Sequence, residues 1–129
     1  MPGFRILIVD DEKIVCERLS AEMERAGYEV EAFTGSSEAL QRISEQYFDL
    51  IITDIKMRGP SGMDLMRFVT ENYPQTKVIM ITGFATVETA KQALKAGAVD
   101  FIAKPFKMRE LRDLVTRLAG LSRKGGETS

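Results

Sequence analysis

Histidine is missing from the 129 residues, and cysteine occurs once, as Cys16. Without histidine the chain cannot run Ser-His-Asp or Cys-His catalysis, hold a metal on imidazole, or carry a phosphohistidine of its own. A single cysteine forbids an intrachain disulfide, which fits a reducing cytosol. Cys16 lies in a helical segment, so a packing or surface position rather than nucleophilic chemistry is its expected role. Neither sign of charge dominates. The formal net charge is -1, so no broad basic face is available for nucleic acid, and the small cluster Arg123-Lys124 reads as solvated surface. Apolar runs are short, and none reaches the length of a membrane span. Met1-Pro2-Gly3-Phe4-Arg5 passes straight into a strand-like run without the form of a signal peptide. The expectation is a cytoplasmic protein that binds neither membrane nor nucleic acid directly.

What is present is an ordinary globular balance, with 44% hydrophobic and 29% charged residues, in a length that suits one domain with a real core. The pattern alternates. Ile6-Leu7-Ile8-Val9 reads as a strand buried on both faces and ends at Asp10-Asp11-Glu12. Val15, Leu19, Met23 and Ala26 then fall on one helical face, and Gly27 stops the helix. Residues 29–33 form a weaker, more polar strand suited to an edge. Ser36 or Ser37 could cap a helix with Ala39, Leu40, Ile43 and Tyr47 inward.

Leu50-Ile51-Ile52-Thr53 is a buried strand ending at Asp54. The turn-rich segment 56–62 follows, then a helix with Leu65, Phe68 and Val69 inward, ending near Asn72. Val78-Ile79-Met80-Ile81 ends at Thr82-Gly83, and Val87, Ala90 and Leu94 share the next helical face. Asp100-Phe101-Ile102-Ala103 ends at Lys104-Pro105. The last helix carries Leu111, Leu114, Val115, Leu118 and Leu121 on one face. Residues 1–121 thus form one domain, and 122–129 read as a flexible tail or the start of a linker. Five strands alternating with five helices predict an α/β fold with a parallel sheet.

The chemistry sits where these strands stop. Asp10 and Asp11 follow the first, Asp54 the third, Thr82 the fourth and Lys104 the fifth. In an open α/β sheet those ends share one edge, where ligands bind. Three carboxylates there need compensation. Lys104 supplies one positive charge, and an all-oxygen site suits Mg²⁺, with Mn²⁺ as an alternative. Taken singly, the residues have ordinary readings: Asp10, Asp11 and Glu12 as helix caps, Asp54 and Thr82 as turn residues, Lys104 as a surface charge. Their joint placement at one edge is hard to obtain that way.

The motifs Ile8-Val9-Asp10-Asp11-Glu12, Thr53-Asp54-Ile55-Lys56-Met57, Ile81-Thr82-Gly83 and Phe101-Ile102-Ala103-Lys104-Pro105-Phe106 resemble those of response-regulator receiver domains of two-component signalling. The resemblance runs from about Phe4 to Leu121. It implies a (βα)5 flavodoxin-like, doubly wound sheet of strand order 2-1-3-4-5, and a phosphorylation switch that is not a classical enzyme. It makes Asp54 the phosphoacceptor. It assigns Mg²⁺ to Asp10, Asp11, Asp54 and the backbone carbonyl of Lys56, with Asp11 favoured over Asp10 as a direct ligand. Thr82 and Lys104 would bind the phosphoryl group, with a cis bond before Pro105. Thr82 and Phe101 would form the switch, and Lys56 and Phe84 would tune phosphoryl lifetime.

The implied partners are a sensor histidine kinase, an output domain or effector, and a second copy of the phosphorylated chain. They would act through the face of the fourth helix, fifth strand and fifth helix, around Ala90, Leu94, Phe101 and Arg112. Arg58 departs from the proline common there, and Phe101 lacks a tyrosine hydroxyl. Residues 82–90 and 95–101 are similar to receivers of nitrogen-regulatory-protein-C-type (NtrC-type) sigma-54 activators, whose ATPase and DNA-binding domains have no counterpart in this sequence. It reads as an excised or a stand-alone receiver, with transcription as the expected output.

Three other readings fit less well. A phosphatase of the haloacid-dehalogenase type needs a second aspartate two positions after the nucleophile, where Lys56 stands. A flavodoxin-like FMN binder needs a hydroxyl- and glycine-rich loop after the first strand, and the loop here is acidic. A receiver that has lost phosphorylation would not need Asp11, Asp54, Thr82 and Lys104 together.

Overall fold

The computed structural model describes residues 3–127, with side chains through residue 121. The order is β1 (Arg5–Val9), α1 (Lys13–Arg25), β2 (Glu29–Phe33), α2 (Ser36–Glu45), β3 (Leu50–Asp54), α3 (Gly62–Asn72), β4 (Lys77–Thr82), α4 (Val87–Lys95), β5 (Asp100–Ala103) and α5 (Met108–Glu127). The strands form one parallel sheet in the order β2-β1-β3-β4-β5. This is the expected flavodoxin-like topology, in which the chain winds outward in both directions from β1.

Successive side chains of a strand point to opposite faces, and the core divides accordingly. Ile6, Ile8, Leu50, Ile52, Ile79 and Ile81 pack with Cys16, Leu19 and Met23 of α1 and with Leu111 and Val115 of α5. Leu7, Val9, Ile51, Val78 and Met80 pack on the other face with residues of α2, α3 and α4. β1, β3 and β4 are covered on both faces, which is why they read as unbroken apolar runs. The edge strands β2 and β5 are only partly buried.

Several inward assignments shift. α2 starts from Gly35 as its N-cap, not from a serine cap, and buried Ser36 donates its hydroxyl to the Arg58 carbonyl at 2.9 Å. α2 ends at Glu45, so the helical count no longer applies at Tyr47. Tyr47 is exposed and Phe48, on the extended connection, fills the core instead. In α1 Cys16 takes the inner position, while Ala26 has left the helix as its C-cap and is exposed. In α4 Val87 and Leu94 face outward, 74% and 50% exposed, and Ala93 is the buried residue. In α5 Ala119 replaces Leu121 on the inner face. The backbone of α5 stays helical to Glu127, beyond the end expected at Leu121. The rest of the expected tail lies outside the described residues.

Candidate functional site

Strand register builds the site. Val9 pairs with Thr53 and Asp54 with Ile81, while Thr82 pairs with Ala103. The residues that end these strands, or follow them directly, therefore meet at one edge. Lys104 donates its backbone N–H to the Thr82 carbonyl at 2.8 Å, which turns its side chain into the crevice. The Lys104-Pro105 bond is cis, as expected.

The Lys104 ammonium is the centre of the arrangement. Its Nζ lies 2.7 Å from Asp10 Oδ2, 2.7 Å from Glu12 Oε1 and 3.2 Å from Asp54 Oδ2. Its hydrogen bonds go to Glu12 and Asp54. Asp10 Oδ2 is buried without a hydrogen-bond partner and has only the charge contact. The other Asp10 oxygen accepts the Glu12 N–H at 2.9 Å. Burial pushes the Asp10 carboxyl above its usual value despite Lys104 and the Glu12 N–H. Burial alone would lower the Lys104 ammonium, but the contacts with Asp10 and Glu12 and the charge of Asp54 outweigh it, and the ammonium is held well above the ordinary lysine value.

Asp10, Glu12 and Asp54 offer carboxylate oxygens within 4.8 Å of one another. Three carboxylates against one ammonium leave an excess of negative charge. Hard oxygen donors at this spacing, one of them a buried oxygen lacking a hydrogen bond, suit a small divalent cation of the Mg²⁺ type. Asp11 is exposed and stands outside the trio, on a polar cleft with Thr34, Ser37, Glu38 and Arg58. Glu12 was missing from the residues expected at the site. The signal was there, since it lies two positions after Asp10, but a helix-cap reading absorbed it. Glu12 does occupy the N-cap of α1, yet its side chain makes no capping bond.

The remaining expected residues surround this core. Thr82 is buried at the end of β4, and its Oγ1 accepts the Phe84 N–H at 3.1 Å. Phe101 is half-buried on β5 against the core of the α4 face. Lys56 and Phe84 meet at the rim, with Nζ 4.6 Å from the ring centroid. Cys16 lies directly beneath the site. Its thiol donates to the carbonyls of Asp10 at 3.2 Å and Phe33 at 3.4 Å, and burial pushes it up to about 11. A thiol held protonated suits the packing role expected of it.

A family model described as the response regulator receiver domain matches residues 6–116. Response regulator protein PilR of Pseudomonas aeruginosa is 40% identical over 111 residues, covering 86% of this chain and 25% of PilR. The chain spans about a quarter of the length of the curated relatives it matches. Among solved structures, the beryllofluoride-activated NtrC4 receiver domain dimer is 35% identical with a TM-score of 0.85, covering 90% of this chain and 96% of that one. The receiver domain of NtrX from Brucella abortus is 32% identical with a TM-score of 0.82, covering 89% of this chain and 98% of that one.

Proposed function

The chain belongs to the response regulator receiver domain family, and on that premise we propose that it is a cytoplasmic switch set by phosphorylation of Asp54. The observation that carries this reading is the Lys104 ammonium, 3.2 Å from Asp54 Oδ2 in a crevice that Asp10 closes from beneath. An Asp54 oxygen attacks the phosphorus of a partner kinase's phosphohistidine, the P–N bond breaks, and the imidazole leaves with the bonding electron pair. Mg²⁺ held by Asp10, Asp54 and the Lys56 carbonyl, with the exposed Asp11 carboxylate turned in from its neighbouring cleft, would neutralise charge on the transferring oxygens. Lys104 stabilises the same charge from the other side. The Thr82 hydroxyl hydrogen is available to a phosphoryl oxygen, since the bond to Phe84 uses Thr82 only as an acceptor.

Incubation with a small phosphodonor tests this. With Mg²⁺ the intact mass rises by one phosphoryl group. A chelator abolishes the rise, and added Mg²⁺ or Mn²⁺ restores it. Uptake that ignores the chelator would refute the metal-assisted reading.

Lys56 and Phe84 then control how long the aspartyl phosphate lasts. On this reading the contacting pair flanks the path by which a hydrolytic water reaches Asp54. A charged Lys56 cannot accept a proton from that water, and the Phe84 ring hinders it. Changing both residues to alanine is expected to speed phosphoryl decay by about tenfold, which needs only ~1.4 kcal/mol. Metal affinity is expected to be unchanged. Decay at the wild-type rate would remove the assignment.

Output runs through the face of α4, β5 and α5. If Thr82 moves toward the phosphoryl group, space opens beneath α4, and Phe101 can turn into it and bury more of its ring. Val87 and Leu94 already present apolar surface there. The proposed consequence is a phosphorylation-dependent homodimer or contact with an output domain that regulates transcription. Analytical ultracentrifugation with and without beryllofluoride should show the mass doubling, and an unchanged mass would exclude the dimer.

A further inference from the structure

Glu12 is oddly employed for its position. It is the N-cap of α1 with an extended backbone, φ -88 and ψ 107, where a polar side chain ordinarily accepts a backbone N–H of the first helical turn. It makes no such bond. Its side chain is 58% exposed, yet Oε1 reaches Lys104 Nζ at 2.7 Å, closer than the 3.2 Å from Nζ to Asp54. No other bond to the Glu12 side chain occurs among the described residues, so local structure does not account for its pose.

The three carboxylates hold the ammonium in different ways. Asp10 is fully buried and fixed by the Glu12 N–H, and Asp54 is at the end of a central strand. Neither can withdraw. Glu12 can, because its carboxylate rehydrates as soon as it lets go. An ion pair with one exposed partner is worth little in water, so a phosphoryl group with a stronger claim on the ammonium displaces it. Until then Glu12 takes one of the ammonium's hydrogen bonds.

Building on the reading of Asp54 as phosphoacceptor, we infer that Glu12 is a positioning residue that competes with the phosphoryl group for Lys104, holding the ammonium toward α1 in the resting state and releasing it when Asp54 is phosphorylated. The side chain thereby sets how readily the phosphorylated conformation forms, without touching the phosphoryl group.

Beryllofluoride at saturating Mg²⁺ is the probe, and binding is read by titration alongside thermal unfolding. Glu12→Gln removes the charge and the ion pair. Glu12→Asp keeps the charge but is one methylene too short to reach Nζ from its present backbone position. Both variants are expected to bind beryllofluoride more tightly than wild type, by up to about fivefold, the range an exposed ion pair spans. Both are expected to unfold within about a degree or two of wild type, because an exposed side chain contributes little to stability. Tightening in Glu12→Gln alone would mean simple repulsion of an anion and would overturn the inference. Unchanged or weaker binding in both variants would overturn it as well. If wild type itself binds no beryllofluoride with Mg²⁺ present, the phosphoacceptor reading fails instead.

Discussion

Asp54→Asn is expected to take up no phosphoryl group under conditions in which the wild type is fully phosphorylated. In the proposed reaction the carboxylate is the nucleophile, and an amide oxygen is neutral and far weaker. The loss should be at least about 10³-fold in rate, the scale on which removing a nucleophile acts. The fold should survive. Asp54 shares its crevice with Asp10 and Glu12, so neutralising it relieves repulsion between carboxylates that a single ammonium only partly offsets. Intact mass and peptide mapping give the uptake, and thermal unfolding gives the stability. Uptake at the wild-type rate on the same peptide would remove Asp54 from its role. A sharp fall in stability would show that its carboxylate is needed structurally.

Gly62→Ala is expected to damage fold and site together. A Cβ at Gly62 would collide with the Asp54 carbonyl oxygen and the Ile55 Cα. Both belong to backbone and cannot turn aside as a side chain would. The Gly62 N–H also donates to the Ile55 carbonyl at 2.8 Å, so the start of α3 is tied to the end of β3. Relief must come from shifting one against the other. Overpacking of this kind costs about 1–3 kcal/mol, and the shift moves Asp54. Urea unfolding should show the loss, and phosphoryl uptake should slow at temperatures where the variant is still folded. Gly120→Ala is the control. A Cβ there meets nothing within 4 Å, and alanine is favoured over glycine in a helix by roughly 0.5–1 kcal/mol, so that variant should be neutral or stabilised. Equal stability of the two variants would mean that the approach at Gly62 is not tight.

The architecture was legible because β1, β3 and β4 are buried on both faces and so appear as uninterrupted apolar runs. Their last residues then locate the crevice before any geometry is known, which is how Asp10, Asp54, Thr82 and Lys104 could be brought together. The short helices were harder. In α4 the sequence Val87-Glu88-Thr89-Ala90-Lys91-Gln92-Ala93-Leu94 offers helical spacing to either a large or a small apolar stripe, and hydrophobicity favours the large one. The sheet accepts the small one, burying Ala93 and leaving Val87 and Leu94 outside. Tyr47 and Phe48 pose the same choice just past the end of α2, where one residue of error in the helix end exchanges the exposed ring for the buried one. Glu12 is harder to place because its partner Lys104 is distant in the chain, and its spacing from Asp10 does not by itself announce a contact between the start of α1 and the end of β5.

The alanine stripe of α4 also has a mechanical meaning. Ala93 is its one buried residue, so sliding α4 across the sheet uncovers little apolar surface, whereas lifting α1 would uncover Cys16, Leu19 and Met23. At its N-terminus Thr86 and Thr89 exchange side-chain and backbone bonds in a closed box, and these bonds travel with the helix. α4 is therefore seated on little apolar surface, while the bonds that close its first turn are internal to it.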